Sequence, residues 1–248
     1  GFRASSVDRN FQLYVAKTDY NSRDAYFILK DRKGSFSLTS SVYSNVYDNQ
    51  KWNFAIRVKD KFWPYSNGIT GSGVGSDIEL EWYGVNTEYG AIKNSFELTA
   101  SSLSNPYVTG NRRYYVGADR TDMTGAVITQ TDVKVTSLRH YAGFLENEVI
   151  NAHARDPENI GTLHPIRNIL FMGDTGDDAT DNAYMPEMSS LALHWDFSEV
   201  TGSDAIGQFI VEDASSGSTA LQDRYPNVVN LSHIVANQYA GTAYFPDA

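Results

Sequence analysis

Cysteine is absent from the 248 residues, which excludes disulfides and thiolate metal sites as supports of the fold and removes any tie to an oxidising compartment. Long apolar runs are missing too. None approaches the ~20 residues that span a bilayer as a helix, so no membrane insertion is expected. The first residues, GFRASSVDRN, hold neither the charged and apolar regions of a signal peptide nor an initiator Met, and read as the start of a fragment or processed product. Charge is sparse at 20% of residues, and its balance is −10. A phosphate-backbone binder needs a basic face, so no nucleic acid is expected as a partner. Helix signals are nearly absent before residue 141.

What the chain does have is aromatic weight. Aromatics make up 13% of it, with 16 Tyr and 12 Phe, which suits β-structure better than a helical bundle. The length is enough for one large sandwich, or for one domain and part of another. From Asn168 to Asp223 there are 11 acidic residues and no Lys or Arg, whereas the rest balances 20 basic against 19 acidic residues. This shift marks a boundary between residues 160 and 188.

Short strand-like runs come first: Phe11 to Lys17, Ala25 to Asp31 and Ser35 to Ser40, spaced as in an antiparallel sandwich. Lys51 to Lys59 alternates, with Trp52, Phe54, Ile56 and Val58 predicted as core. Gly68, Gly71, Gly73 and Gly75 lack the Lys-Ser/Thr ending of a phosphate loop, so Pro64 to Ser76 reads as a flexible loop. Asp77 to Val85 alternates again, with Ile78, Leu80 and Trp82 inward and Asp77, Glu79 and Glu81 on a solvated face. Ala91 to Thr99 and Arg113 to Arg120 add two strands.

Thr131 to Pro157 is the organising stretch. Asp132 to Leu138 alternates as a half-buried strand with Val133 and Val135 on one face. The period then changes, and Leu145, Val149 and Ala152 form the apolar side of a helix whose other side carries Glu146, Asn147, Glu148 and Asn151. Pro157 closes it. Many strands and one late helix predict an all-β, antiparallel sandwich with a helical appendage. After a partly packed linker containing Ile169 to Met172, Leu191 to Phe197 is a new strand with Leu191, Leu193, Trp195 and Phe197 on one face. Phe209 to Glu212 and Ala243 to Phe245 follow.

These residues resemble the laminin G-like, concanavalin A-like jelly-roll modules. KWNFAIRV matches a strand that opens with Trp, IELEWYGV the strand with a Gly turn, and DVKVTSLRHYAGFLENEVI the closing strand and acidic helix. LALHWDF, Asp213 to Gly217 and Gly241 to Phe245 are similar to the family's opening elements but stand after its closing helix. The resemblance therefore implies a module at 1–157, an acidic linker at 158–188, and at 189–248 either the opening strands of a second sandwich or strands that complete the first. The phrases GFRAS, RRYYVGADRTDMTG, TDVKVTSLRHY, HARDP and ALHWDFSEVTGSDAIGQF resemble large virion structural proteins of tailed bacteriophages. The implied role is a non-enzymatic structural or interaction module of a virion, on the capsid or tail surface, with other virion proteins or copies of itself as partners.

Two further readings come from the side chains. An exposed Tyr ring stacks on a sugar face while its hydroxyl bonds a neighbouring group. Tyr43, Tyr47, Tyr65, Tyr83 and Tyr89, in or near predicted loops, are the candidates for an adhesion module that binds cell-surface glycans; packing is the competing role of each. Asp77, Glu79 and Glu81 put three carboxylates on one strand face, a pattern like that of family 16 glycoside hydrolases, with Asp77 and Glu81 as the catalytic pair. The first two identities are reversed from that family's, and residues four apart on a flat strand lie about 13 Å apart, against the ~5 Å that retaining chemistry needs. A solvated face is the simpler account.

Asp174, Asp177, Asp178 and Asp181 cluster in GDTGDDATDN, and their hard oxygens are what Ca²⁺ takes as ligands. Gly176 at the third loop position breaks the EF-hand spacing, leaving a solvated acidic linker as the alternative. The five histidines have no short ligand spacing and no nucleophile motif beside them. His140, in the strand-helix join, is read as a hydrogen-bonded structural residue.

Overall fold

The computed structural model describes residues 2–4, 11–31, 34, 36–60, 78–103, 112–120, 127–130, 134–141, 143–170, 184–203, 208–213, 215 and 242–244. These residues are mostly β, in antiparallel sheets, with one α-helix. The strands in order are β1 (Phe2–Ala4), β2 (Gln12–Lys17), β3 (Ala25–Lys30), β4 (Ser37–Thr39), β5 (Lys51–Asp60), β6 (Ile78–Glu88), β7 (Ala91–Leu103), β8 (Arg112–Tyr114), β9 (Ala118–Arg120), β10 (Val127–Gln130) and β11 (Ser137–Tyr141). Helix α1 (Asn147–Arg155) follows, then β12 (Asn168–Leu170), β13 (Tyr184–Pro186), β14 (Leu191–Ser203), β15 (Gln208–Asp213) and β16 (Thr242–Tyr244).

Two three-stranded sheets, β2-β3-β4 and β5-β6-β7, face each other across one aromatic core. Phe11, Phe27, Leu29 and Phe36 come from the first sheet and its flanks, Leu80 and Trp82 from β6, and Trp52, Phe54, Ile56, Val58, Phe96 and Leu98 pack around them. Trp82 and Phe27 are wholly enclosed, at 0% and 1% exposure. Edge-on ring contacts, Trp82 to Phe96 at 4.9 Å and Phe27 to Phe54 at 4.8 Å, are the arrangement that the ring quadrupole favours. Gly84 interrupts the bulky inward series Leu80 and Trp82 because the Phe96 ring lies where its Cβ would stand.

The opposite face of β5-β6-β7 is covered by α1. Tyr83 and Val85 pack against Leu145, Val149, Ile150 and Ala154. This overturns the expected solvated face: every residue of β6 from Leu80 to Asn86 is buried, because the segment after β11 folds back over it. The helix lies close to its predicted place. Its buried side is Val149, Ile150, His153 and Ala154, with Leu145 one turn ahead. Glu148 in the first turn and Arg155 in the last complement the helix dipole. Asp156 donates its N–H to the Ala152 carbonyl at 3.0 Å, and Pro157 follows.

Two strand predictions shift. The described strand before the helix is Ser137–Tyr141, where pairing with β14 selects the later residues; Lys134 to Thr136 precede it outside the strand, and Asp132 and Val133 lie outside the described residues. The predicted Arg113 to Arg120 strand is split: β8 pairs with β1, β9 pairs with β10, and Gly117 turns between them at φ 76. Strand β14 pairs with β11, Leu138 opposite Trp195, and leads the sheet β11-β14-β15-β16. Leu193 and Trp195 pack with Tyr114, Val116, Leu138 and Phe197. The stretch between helix and β14 is anchored by Arg167, which donates to Glu146 at 2.8 Å and to the fully buried Glu187 at 3.0 Å.

Candidate functional site

Three connections meet at one end of the facing sheets: the β2-β3 turn at 18–24, the β4-β5 loop at 40–50 and the β6-β7 turn at Tyr89 and Gly90. The first two are tied together. Tyr47 donates its N–H to the Arg23 carbonyl at 3.0 Å, Asn45 donates its own to the Asp24 carboxylate at 2.9 Å, and Tyr43 exchanges two backbone bonds with Ala25. The third borders them, because Lys51, where the loop enters β5, stands opposite Thr87 near the end of β6. Asn45 and Asn49 hold left-handed backbone at φ 59 and 57, a conformation that Asn tolerates in turns.

The predicted tyrosines divide between this end and the interior. Tyr89 is fully exposed and Tyr47 half exposed, at 101% and 48%, with the Lys17 ammonium 4.6 Å from the Tyr47 ring centre. Tyr43 is half-buried and stacks on core rings, 4.8 Å from Trp52 and 6.0 Å from Phe96; burial raises its pKa. It is the floor of this end and not a free ring. Tyr83 must be removed from the candidates: it lies under α1 at 7% exposure and donates its hydroxyl to Asn151 at 2.9 Å. Tyr65 lies outside the described residues. Tyr20, at 92% exposure, belongs to the same end and was not predicted. The turn residues Asp19, Asn21 and Ser22 around it were the available signal.

Tyr89 is also held in an uncommon conformation. Its φ is 51 and that of Gly90 is 76, so the hairpin closes through a type I′ turn, where Asn-Gly is the favoured pair. A bulky side chain with left-handed backbone costs about 1 kcal/mol or more. The position thus keeps an exposed ring where local stability favours Asn.

The carboxylate face of β6 has a different character. Glu81 is buried, pairs with Arg57 at 3.2 Å and accepts from Lys59, which also pairs with Glu79 at 3.1 Å. Burial alone would lower the Lys59 pKa, but its hydrogen bonds to Glu81 and Glu79 outweigh that and raise it. Arg57 donates to the Leu145 carbonyl at 2.9 Å, approaches Glu97 at 3.5 Å and lies 4.9 Å from the Phe144 ring centre. Glu81 therefore faces paired cations beneath the Phe144–Leu145 segment that leads into α1, and its proposed catalytic partner Asp77 is outside the described residues. The Ca²⁺ candidates Asp174, Asp177, Asp178 and Asp181 also lie outside them. Among the described residues no group of three or more His, Asp or Glu is arranged to hold a metal. No described helix is long and apolar enough to cross a membrane.

His140 meets the Tyr114 hydroxyl through Nδ1, in keeping with the structural role expected of it. His153 was not singled out in the sequence, yet it is buried, bonds the Gly161 carbonyl at 2.8 Å and stacks on Tyr141 at 5.8 Å. Burial lowers its pKa and raises that of Tyr141 to about 12. Compared with known proteins, the chain matches no family model, no curated protein and no solved structure.

Proposed function

We propose that this chain is a non-enzymatic structural and interaction module of a bacteriophage virion, built on a jelly-roll β-sandwich of the concanavalin A-like kind, and that it engages its partner through the tyrosine-bearing end. The observation that carries the contact surface is the joint exposure of Tyr20, Tyr47 and Tyr89 on turns fixed to an aromatic core. Large rings on a rigid support bind at low entropic cost. The two facing sheets sharing one core support the sandwich, and the sequence resemblance supports the virion. The occupation of Glu81 by Arg57 and Lys59 weighs against hydrolysis.

A second reading shares the same surface. Exposed tyrosines beside the polar side chains of Asp19, Asn21 and Asp48 suit a cell-surface glycan. The two readings separate in one series of measurements. Density for the chain on purified particles, and loss of particle incorporation in a Tyr20→Ala/Tyr89→Ala variant that melts normally, is the expected result. Absence of the chain from particles would remove the virion reading. Glycan-array binding that the same double variant abolishes would establish the adhesion reading.

A further inference from the structure

We propose that residues 156–167 form a strap latched onto β11 and α1 through three consecutive carbonyls, and that protonation of His153 releases it. The segment lies outside every strand and helix. It leaves α1 at Asp156, whose N–H is bonded to the Ala152 carbonyl at 3.0 Å, and its far end is held by Arg167, which donates to Glu146 at 2.8 Å and to Glu187 at 3.0 Å. Between these two ends Arg139 donates to the Asn159 carbonyl at 2.9 Å, Tyr141 to that of Ile160 at 3.0 Å and His153 to that of Gly161 at 2.8 Å. Because the three acceptors are consecutive, one outward swing of the backbone loses all three bonds together.

The closed strap is poised rather than locked. Its three bonds are opposed by polar atoms that stay buried without a partner, Nε and Nη2 of Arg139 beside it and Oγ1 of Thr162 within it. Each forgoes hydration in the closed form and regains it on opening. The strap also gains little from apolar burial, since Ile160, Leu163 and Ile166 remain exposed. Few buried apolar contacts mark the segments of a fold that open first.

His153 supplies the trigger. A carbonyl only accepts, so Nε2 carries the proton in the Gly161 bond and a second proton goes to Nδ1. The groups that face the ring are Arg139 and Tyr141 from β11, His194 from β14 and Asp156 at the end of α1. Lys51 from β5 and Asp196 from β14 face Arg139 in turn. Burial first, and then Arg139 and His194, hold the ring's pKa below 6.5 against the Gly161 bond and Asp156. In the released strap the ring is hydrated and titrates at its ordinary value, so the closed form loses ground as pH falls below 6.5. Above that pH both forms hold a neutral ring and nothing changes. The strap begins beside the tyrosine-bearing end, because Thr87 donates to the Ala154 carbonyl at 3.2 Å, but its release does not depend on what that end binds.

The test uses the full chain and its lack of cysteine. Thr162→Cys places one thiol in the strap, and its rate with a neutral disulfide reagent, divided by that of a free peptide of the same local sequence at each pH, measures opening. This ratio should rise about tenfold from pH 7.5 to pH 5.0. His153→Gln keeps an N–H for the Gly161 carbonyl but takes up no proton, and should hold the rise below about twofold. Tyr141→Phe removes one latch bond and should raise the ratio about fivefold at both pH values, leaving the step between them. An unchanged near-ultraviolet circular dichroism of the aromatic core at pH 5.0 separates release of the strap from global unfolding. If Thr162→Cys itself opens the strap, hydrogen exchange of residues 158–163 in the parent, corrected for the intrinsic rate, reads the same step. A ratio independent of pH, a rise that survives His153→Gln, or a rise that comes only with loss of the core signal would overturn the proposal.

Discussion

The two faces of the β5-β6-β7 sheet bury similar amounts of one strand by different means. Toward β2-β3-β4 the contact is a buried aromatic layer around Trp82 and Phe27. Toward α1 it mixes Tyr83 and Val85 with an ion-paired row of Glu79, Lys59, Glu81 and Arg57. Apolar burial is additive and tolerant of neighbours, whereas a buried charge depends on one partner at one distance. The first face therefore supplies the bulk of stability, and the second fixes where the helix sits.

Removing a ring from the aromatic face should have the largest effect. Trp82→Ala is expected to cost about 4 kcal/mol in chemical denaturation, from lost transfer energy and the cavity left behind. A loss below 1 kcal/mol would mean that this face is not the main core. On the helix face, Arg57→Met leaves Glu81 buried without its guanidinium and should cost about 3 kcal/mol. Arg57→Met/Glu81→Leu should recover more than half of that, since an apolar pair of similar volume can replace a buried ion pair. Failure of the double variant to recover would show that Arg57 acts through its bond to the Leu145 carbonyl and not through its charge.

Gly84→Ala probes the aromatic face more gently. Its new methyl meets the Phe96 ring, and overpacking of this kind costs about 2 kcal/mol. The smallest effect belongs to pH and separates the faces most cleanly. His153, on the helix, has a pKa lowered from 6.5 by burial, so the fold favours its neutral form. Above pH 6.5 both folded and unfolded chains hold it neutral and nothing changes. Below it the unfolded chain takes up the proton first, and stability falls by at most about 1.4 kcal/mol per pH unit for this one proton. His153→Gln should flatten the part of the profile below pH 6.5. A slope unchanged by the substitution would assign the titration elsewhere.

The alternation of β5, β6 and β7 was legible because a strand's side chains have period two, and Trp52, Phe54, Trp82 and Leu80 were placed from it. The helix after β11 was legible for the same reason, through a change of period and a closing proline. Glu81 was misread because alternation says which residues share a face and not what covers that face. Tyr83 failed as a surface candidate on the same ground. Tyr20 escaped notice because exposure in a turn leaves no periodic trace.

The sequence by itself determined the strand-rich class, the inward aromatic positions and the late helix α1, since each rests on local period, propensity and turn chemistry. Only the tertiary structure decided that the segment leading into α1 folds back over the Glu81 ion pairs, that β14 pairs with β11, and that Tyr20, Tyr47 and Tyr89 share one end. Those facts depend on contacts between residues far apart in the chain, which no local pattern encodes.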